Sequence, residues 1–78
     1  MNYITKAVGL IGGQTKTGKL LGGVKQASVW DWMNKYGQAP AKYIKQISEL
    51  TNNEVTVEQL LADHEKNQAK DSKEGMQQ

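Results

Sequence analysis

The side chains best suited to chemistry in this 78-residue chain are polar groups spaced closely along one short segment. Each can donate to or accept from a base edge or a phosphate, and the set is Lys25, Gln26, Ser28 and Asp31. A glutamine amide can bind adenine N6 and N7 as a bidentate pair, and lysine can bind guanine or phosphate. Ser28 is small enough to permit close approach. Asp31 either accepts from a cytosine amino group or pairs with a nearby lysine.

Two short helices joined by a glycine turn are predicted to position these side chains. Helix 2 is predicted over residues 14–21, and Gly22-Gly23 ends it because glycine reaches positive φ without steric cost. Helix 3 is predicted over residues 25–35, followed by Gly37. The apolar residues on its inner side are Val24, Val29, Trp32 and Met33. This layout is how a small protein places one helix in the major groove of DNA, although the polar groups could also be ordinary surface side chains.

The charge distribution favours contact with nucleic acid. Residues 1–45 carry seven lysines and one aspartate, for a net charge of +6, whereas residues 46–78 carry three lysines and seven acidic residues, for −4. The basic half contains the two-helix unit, which indicates a surface facing phosphates. The candidates for phosphate contact are Thr15, Lys16, Lys19, Asn34, Lys35 and Lys42. The chain has no arginine, the side chain best suited to bidentate guanine contact.

Composition argues against several other classes of protein. The chain has no cysteine, which excludes disulfides, thiolate zinc sites and a thiol nucleophile. His64 is the single histidine and is expected to be solvated, so we expect no metal, no cofactor and no enzymatic activity. No apolar run reaches the roughly 18 residues of a membrane span, and the first segment does not resemble a signal peptide. We therefore expect a cytoplasmic protein.

Two further helices are predicted before residue 52. Helix 1 is expected over residues 3–11, with Asn2 as its N-cap and an inner stripe of Ile4, Ala7, Val8 and Ile11. Helix 4 is expected to have Pro40 at its first position, where the missing N–H costs nothing. Asn52-Asn53 is expected to end helix 4 because asparagine tolerates left-handed conformations.

The last helix is predicted from a capping box. Thr56 and Gln59 have the spacing at which their side chains satisfy each other's backbone N–H groups, so helix 5 should begin at Val57. Its buried residues are expected to be Val57, Leu60 and Leu61. The ordered domain is then residues 1–63. Residues 64–78 are polar and are predicted to form a disordered tail after extending helix 5 by at most a turn or two, because they cannot bury enough surface to offset their ordering entropy.

These residues resemble the Cro-like and YdaS-like helix-turn-helix regulators of phages and prophages. The resemblance covers about residues 4–62. Its anchors are Gly12-Gly13-Gln14-Thr15, Val29-Trp30-Asp31-Trp32-Met33-Asn34, Ala39-Pro40-Ala41 and Val55-Thr56. It implies an all-α, five-helix lambda-repressor-like helix-turn-helix domain that represses transcription, commonly as a dimer on a palindromic operator. It also implies that Gln14 reaches a phosphate and can brace Gln26.

The chain departs from the family pattern at the turn and in helix 2. The usual turn has one glycine before the hydrophobic residue, whereas this chain has Gly22-Gly23-Val24. Gly18 lies where the family needs a small side chain for close helix crossing. Thr17 lies where a larger apolar residue is usual, so looser packing is expected there. Trp30 cannot share the inward direction of Trp32. Packing at the rim of helix 4 is its first expected role, and contact with a sugar or a thymine methyl or a place in a dimer surface are the alternatives.

The sequence thus predicts a sequence-specific double-stranded DNA-binding regulator that represses by occluding a promoter. One domain reads only about 4 or 5 base pairs, so a homodimer is expected, with helix 5 and the link around Val55 as its favoured interface. The first alternative is a protein-interaction module of the same fold, such as an antitoxin or an antirepressor. The second is a non-specific binder of nucleic acid.

Overall fold

The computed structural model describes residues 2–77, with side chains described for residues 2–67. The chain forms five α-helices: α1 (Tyr3–Ile11), α2 (Gln14–Leu20), α3 (Gln26–Asp31), α4 (Ala41–Leu50) and α5 (Val57–Gln77). One π-helical turn, Trp32–Tyr36, continues α3 without a break. Residues 2–77 contain no β-strand, which confirms the all-α, five-helix prediction. No helix in this part of the chain combines the length and apolar character needed to cross a membrane.

Helix α1 is the central element, since it packs against α2, α4, α5 and the π-helical turn. Its predicted inner stripe is buried, which confirms the spacing argument. The apolar core comprises Ile4, Ala7, Val8, Ile11, Leu21, Val29, Trp32, Ala39, Ile44, Ile47, Val55 and Leu60. The ring of Trp32 packs against Tyr43 of α4, with centroids 5.4 Å apart. The π-helical turn is thereby fixed to α4.

The start of α1 is held by two side chains. Asn2 accepts a hydrogen bond from the backbone N–H of Thr5 at 2.9 Å, as predicted for an N-cap. The carboxylate of Asp63, buried on α5, accepts from the N–H groups of Tyr3 and Ile4 at 3.0 Å each. A carboxylate is well suited to the positive end of a helix. Asp63 therefore links α5 to the first turn of α1.

The turn that follows α3 is an i+5 helical turn, where the sequence predicted a regular α-helix to residue 35. Two of its carbonyl oxygens accept hydrogen bonds from side chains that are distant in sequence. Asn2 Nδ2 donates to the Met33 carbonyl oxygen at 3.3 Å, and Asn67 Nδ2 donates to the Tyr36 carbonyl oxygen at 3.0 Å. Gly37 ends the turn with a φ of +70°, as predicted. The wider turn is thus stabilised by contacts that join positions 31 residues apart.

The predicted boundaries of α4 are close to those observed. Pro40 is the residue before α4 and not its first residue, a shift of one position. Asn52 and Asn53 have φ values of 56° and 62°, and they end α4 in the left-handed region, as predicted.

The capping box at the start of α5 is confirmed. The Gln59 side chain accepts from the Thr56 N–H at 3.0 Å, and the Thr56 hydroxyl accepts from the Gln59 N–H at 3.1 Å. Two expectations nearby are wrong. Leu61, which was expected to be buried, is 43% exposed because it lies on the outer side of α5. Val55, which was expected to lie in a dimer interface, is fully buried in the core.

Helix α5 continues to Gln77, whereas the sequence predicted at most a turn or two of helix after residue 63. Two residues beyond that boundary bond to the loop between the π-helical turn and α4. His64 Nε2 donates to the Ala39 carbonyl oxygen at 2.5 Å, and Asn67 Nδ2 donates to Gln38 Oε1 at 2.8 Å. The prediction that His64 is solvated is therefore wrong, and residues 64–67 belong to the packed domain. The side chains of residues 68–78 lie outside those described.

Candidate nucleic-acid interface

Helices α2 and α3 are held in close contact by the turn between them. Gly22 and Gly23 have φ values of +96° and +101°, which L-residues rarely adopt. The Gly18 carbonyl oxygen accepts from the N–H groups of Gly23 and Val24 at 3.0 and 2.9 Å. A Cβ built on Gly18 would overlap the Val24 carbonyl oxygen, so any side chain there would push the turn away from α2. The requirement for a small residue at position 18 is confirmed.

The expectation of looser packing at Thr17 is wrong. The side chain is fully buried, and its hydroxyl donates to the Gly13 carbonyl oxygen at 2.7 Å. This back-bond satisfies the hydroxyl inside the helix, so a threonine can fill a buried site without leaving a polar group unpaired.

Two of the four predicted base-contacting residues lie at the start of α3. Lys25 is its N-cap, and both Lys25 and Gln26 are exposed. Ser28 and Asp31 are half-buried further along the helix. The outward position of Gln26 agrees with the predicted direction of the helix, because Val29 and Trp32 occupy the buried side.

The structure brings Gln26 and Gln14 together. Gln26 Nε2 donates a hydrogen bond to Gln14 Oε1, across the junction between α3 and α2. In this arrangement Gln14 presents its amide oxygen to an N–H of Gln26. Among residues 2–67 the oxygen and the second N–H of the Gln26 amide make no hydrogen bond, so both can reach an external ligand. The bracing contact expected for these two residues is present.

The predicted phosphate-contacting residues are mostly on the surface. Gln14 is half-buried, and the exposed ones are Thr15, Lys16, Lys19, Asn34, Lys35 and Lys42. The ammonium groups of Lys35 and Lys42 lie over the rings of Tyr36 and Tyr43, at 5.4 and 5.1 Å from the ring centroids. These cation–π contacts hold both ammonium groups beside a tyrosine ring, and both lysines remain exposed.

Trp30 is a further candidate that the sequence assigned to packing. Its side chain is 47% exposed, so about half of the ring surface is not covered by the described residues. Trp30 follows Gln26 by four residues, and side chains at that spacing lie on the same side of a helix. The sequence placed contact of Trp30 with a sugar or a thymine methyl second to packing, and that contact stays a prediction.

An open groove of about 570 Å³ lies beside the pair of glutamines. Its lining includes Thr5 and Gly9 of α1, Gln14 and Thr15 of α2, and Gln26 of α3. None of its lining residues is charged. The groove is therefore bounded by α1, by the first turn of α2 and by the start of α3.

These features define a small all-helical domain with a glycine turn, an outward-facing short helix and a basic N-terminal half. A comparison with family models matches residues 4–69 to the family described as bacterial toxin YdaS. The match spans most of the chain, and the protein belongs to this family. Neither the curated proteins nor the solved structures contain a match. The YdaS-like part of the predicted resemblance is confirmed, and the Cro-like part stays a prediction.

Proposed function

We propose that this protein is a helix-turn-helix DNA-binding protein of lambda-repressor type that reads a duplex with α3 and regulates transcription, most simply as a Cro-type repressor. The observation that carries the proposal is the hydrogen bond from Gln26 to Gln14. A glutamine braced in this way presents an oriented amide, and an oriented amide is what a bidentate contact with adenine requires.

The chemistry of the Gln26 amide fits adenine in the major groove. One N–H of Gln26 is taken by Gln14. The second N–H can donate to adenine N7, and the amide oxygen can accept from adenine N6. Bracing lowers the conformational entropy that the side chain loses on binding, so the contact is stronger than one from a free surface glutamine. Lys25 is placed beside it for guanine or phosphate.

The charge distribution also supports DNA contact by the surface that carries α2 and α3. The exposed lysines Lys16, Lys19 and Lys35 belong to the half of the chain that carries a net charge of +6. Their contacts would supply affinity that does not depend on sequence, whereas α3 would supply the specificity.

Dimerisation remains part of the proposal, with a changed interface. Val55 is fully buried and cannot contact a second copy. Leu61 is 43% exposed on α5, so α5 still offers an apolar side chain for a two-fold interface. A dimer would read two half-sites about one helical turn apart on a palindromic operator, and the bound protein would block the polymerase.

Selection from random duplexes, followed by sequencing, tests the proposal. We expect enrichment of a palindrome whose half-site contains an adenine that is required for binding. A protein-interaction module would enrich nothing, and the half-exposed indole of Trp30 is the feature that favours this alternative. A non-specific binder would retain all sequences equally. Either of these results would overturn the assignment as a sequence-specific regulator.

A further inference from the structure

Gly9 is a glycine inside α1 for which the fold itself gives no reason. A glycine in a helix interior costs about 0.5–1 kcal/mol relative to alanine. Gly9 is exposed, and its φ is not among the positive values found at other glycines. A Cβ built on it meets no atom within 4 Å, in contrast to Gly18. Neither backbone conformation nor packing within the described residues requires glycine at this position.

Gly9 lines the open groove beside the glutamine pair. The groove is also lined by the polar residues Thr5, Gln14, Thr15 and Gln26, and by Val8, Gly13 and Met33. A side chain on Gly9 would therefore enter the groove and reduce its width. Because position 9 has no side chain, a ligand bound at Gln14 and Gln26 can also contact α1.

The polar groups of the groove suit an anionic strand rich in hydrogen-bond acceptors. Gln14 uses its oxygen to accept from Gln26, and its own N–H groups make no hydrogen bond among the described residues. The exposed hydroxyl of Thr15 is similarly free within residues 2–67. Lys6 and Lys16 do not line the groove, but both are exposed and directly follow the lining residues Thr5 and Thr15. Phosphate oxygens accept from amide, hydroxyl and ammonium groups of this kind.

We propose that this groove seats the sugar–phosphate backbone of the duplex whose bases α3 reads, and that Gly9 lets that backbone approach α1. The inference rests on the proposed function and adds α1 as a second contacting element. It also explains the arrangement of the glutamine pair, since Gln14 then contacts the phosphate strand while bracing Gln26 at the base edge. Glycine at position 9 is retained for binding, at a cost to helix stability.

The test uses the full chain with two substitutions, Gly9→Ala and Gly9→Gln. Both residues favour helix over glycine, and the space around Gly9 is open, so the melting temperature is expected to stay equal or rise. The affinity for a duplex obtained by selection is expected to fall, by about tenfold or more for Gly9→Gln, as steric exclusion removes backbone contacts. Gln46→Ala, an exposed substitution in α4, is the matched control and should leave affinity unchanged.

A second measurement locates the contact on the duplex. Single phosphates of the selected duplex are replaced in turn by neutral methylphosphonates, and each duplex is titrated with wild type and with Gly9→Gln. At the phosphate seated in the groove, the replacement should weaken wild type but have little further effect on the variant.

The outcomes separate this inference from the proposed function. If wild type binds a selected duplex and Gly9→Gln binds it equally well, the groove is not a backbone site, although α3 can still be the reading helix. If Gly9→Ala lowers the melting temperature, glycine serves the fold and the inference is wrong. If wild type selects no duplex, the proposed function fails and this inference fails with it.

Discussion

The carboxylate of Asp63 accepts a hydrogen bond from the backbone N–H of Ile4, at a distance of 3.0 Å. The contact joins the last helix to the first turn of α1 across 59 positions of sequence. A second bond from the Tyr3 N–H uses the other oxygen of the same carboxylate. Because α1 packs against four other elements, the orientation of α1 depends on a residue near the far end of the domain.

Asp63→Ala is therefore expected to be strongly destabilising. The substitution leaves two backbone N–H groups without their acceptor, and one of them is in the buried core, so the free energy of unfolding should fall by about 2–4 kcal/mol. Urea denaturation followed by circular dichroism measures the loss. Glu65→Ala, an exposed acidic residue two positions further along α5, is the control and should change the value by less than about 0.5 kcal/mol. Equal effects of the two substitutions would show that the Asp63 bonds contribute little.

The two tryptophans are expected to behave differently. Trp32 is 6% exposed and packs against Tyr43, so Trp32→Ala should lose about 3–5 kcal/mol. That loss approaches the whole stability of a small domain, and the variant is expected to be largely unfolded at 37 °C. Trp30→Ala removes a ring that is 47% exposed and should retain a cooperative melt. A Trp32→Ala variant that melts at the wild-type temperature would contradict the core assignment.

Lysine substitutions should change affinity without changing sequence preference. Lys35→Ala or Lys42→Ala should weaken binding to all duplexes alike and reduce the slope of log K against log salt by about one unit. Fluorescence anisotropy at several salt concentrations measures both quantities. Lys66→Ala, an exposed lysine of α5, is the matched control with an unchanged slope. A change in the preferred sequence on substituting Lys35 or Lys42 would mean that these residues read bases.

Local signals in the sequence predicted much of the fold. The apolar stripe of α1, the Asn2 cap and the Thr56–Gln59 capping box are determined by residues within one or two turns, so their spacing was sufficient. The contact of Gln14 with Gln26 was also expected, because the resemblance placed both residues at adjoining helix starts. Their roles in DNA binding stay predictions.

The remaining features depend on contacts between distant positions. The π-helical turn is held by Asn2 and Asn67, and no local pattern around residue 32 indicates it. His64 and Asn67 looked like polar tail residues, since their partners lie in the loop before α4. Leu61 was assigned to the interior from its apolar character, but only the packed structure shows which side of α5 is covered.

The most direct test of the central claim is the affinity of wild type and Gln26→Ala for one selected duplex and for duplexes with single base-pair changes. We expect Gln26→Ala to weaken binding to the selected duplex by about 1–3 kcal/mol and to lose discrimination at one adenine position of each half-site. Gln14→Ala should give a smaller loss that does not add to the first, because both substitutions remove the same braced contact. If Gln26→Ala keeps the full affinity and preference of wild type, α3 does not read DNA through this residue and the account is contradicted.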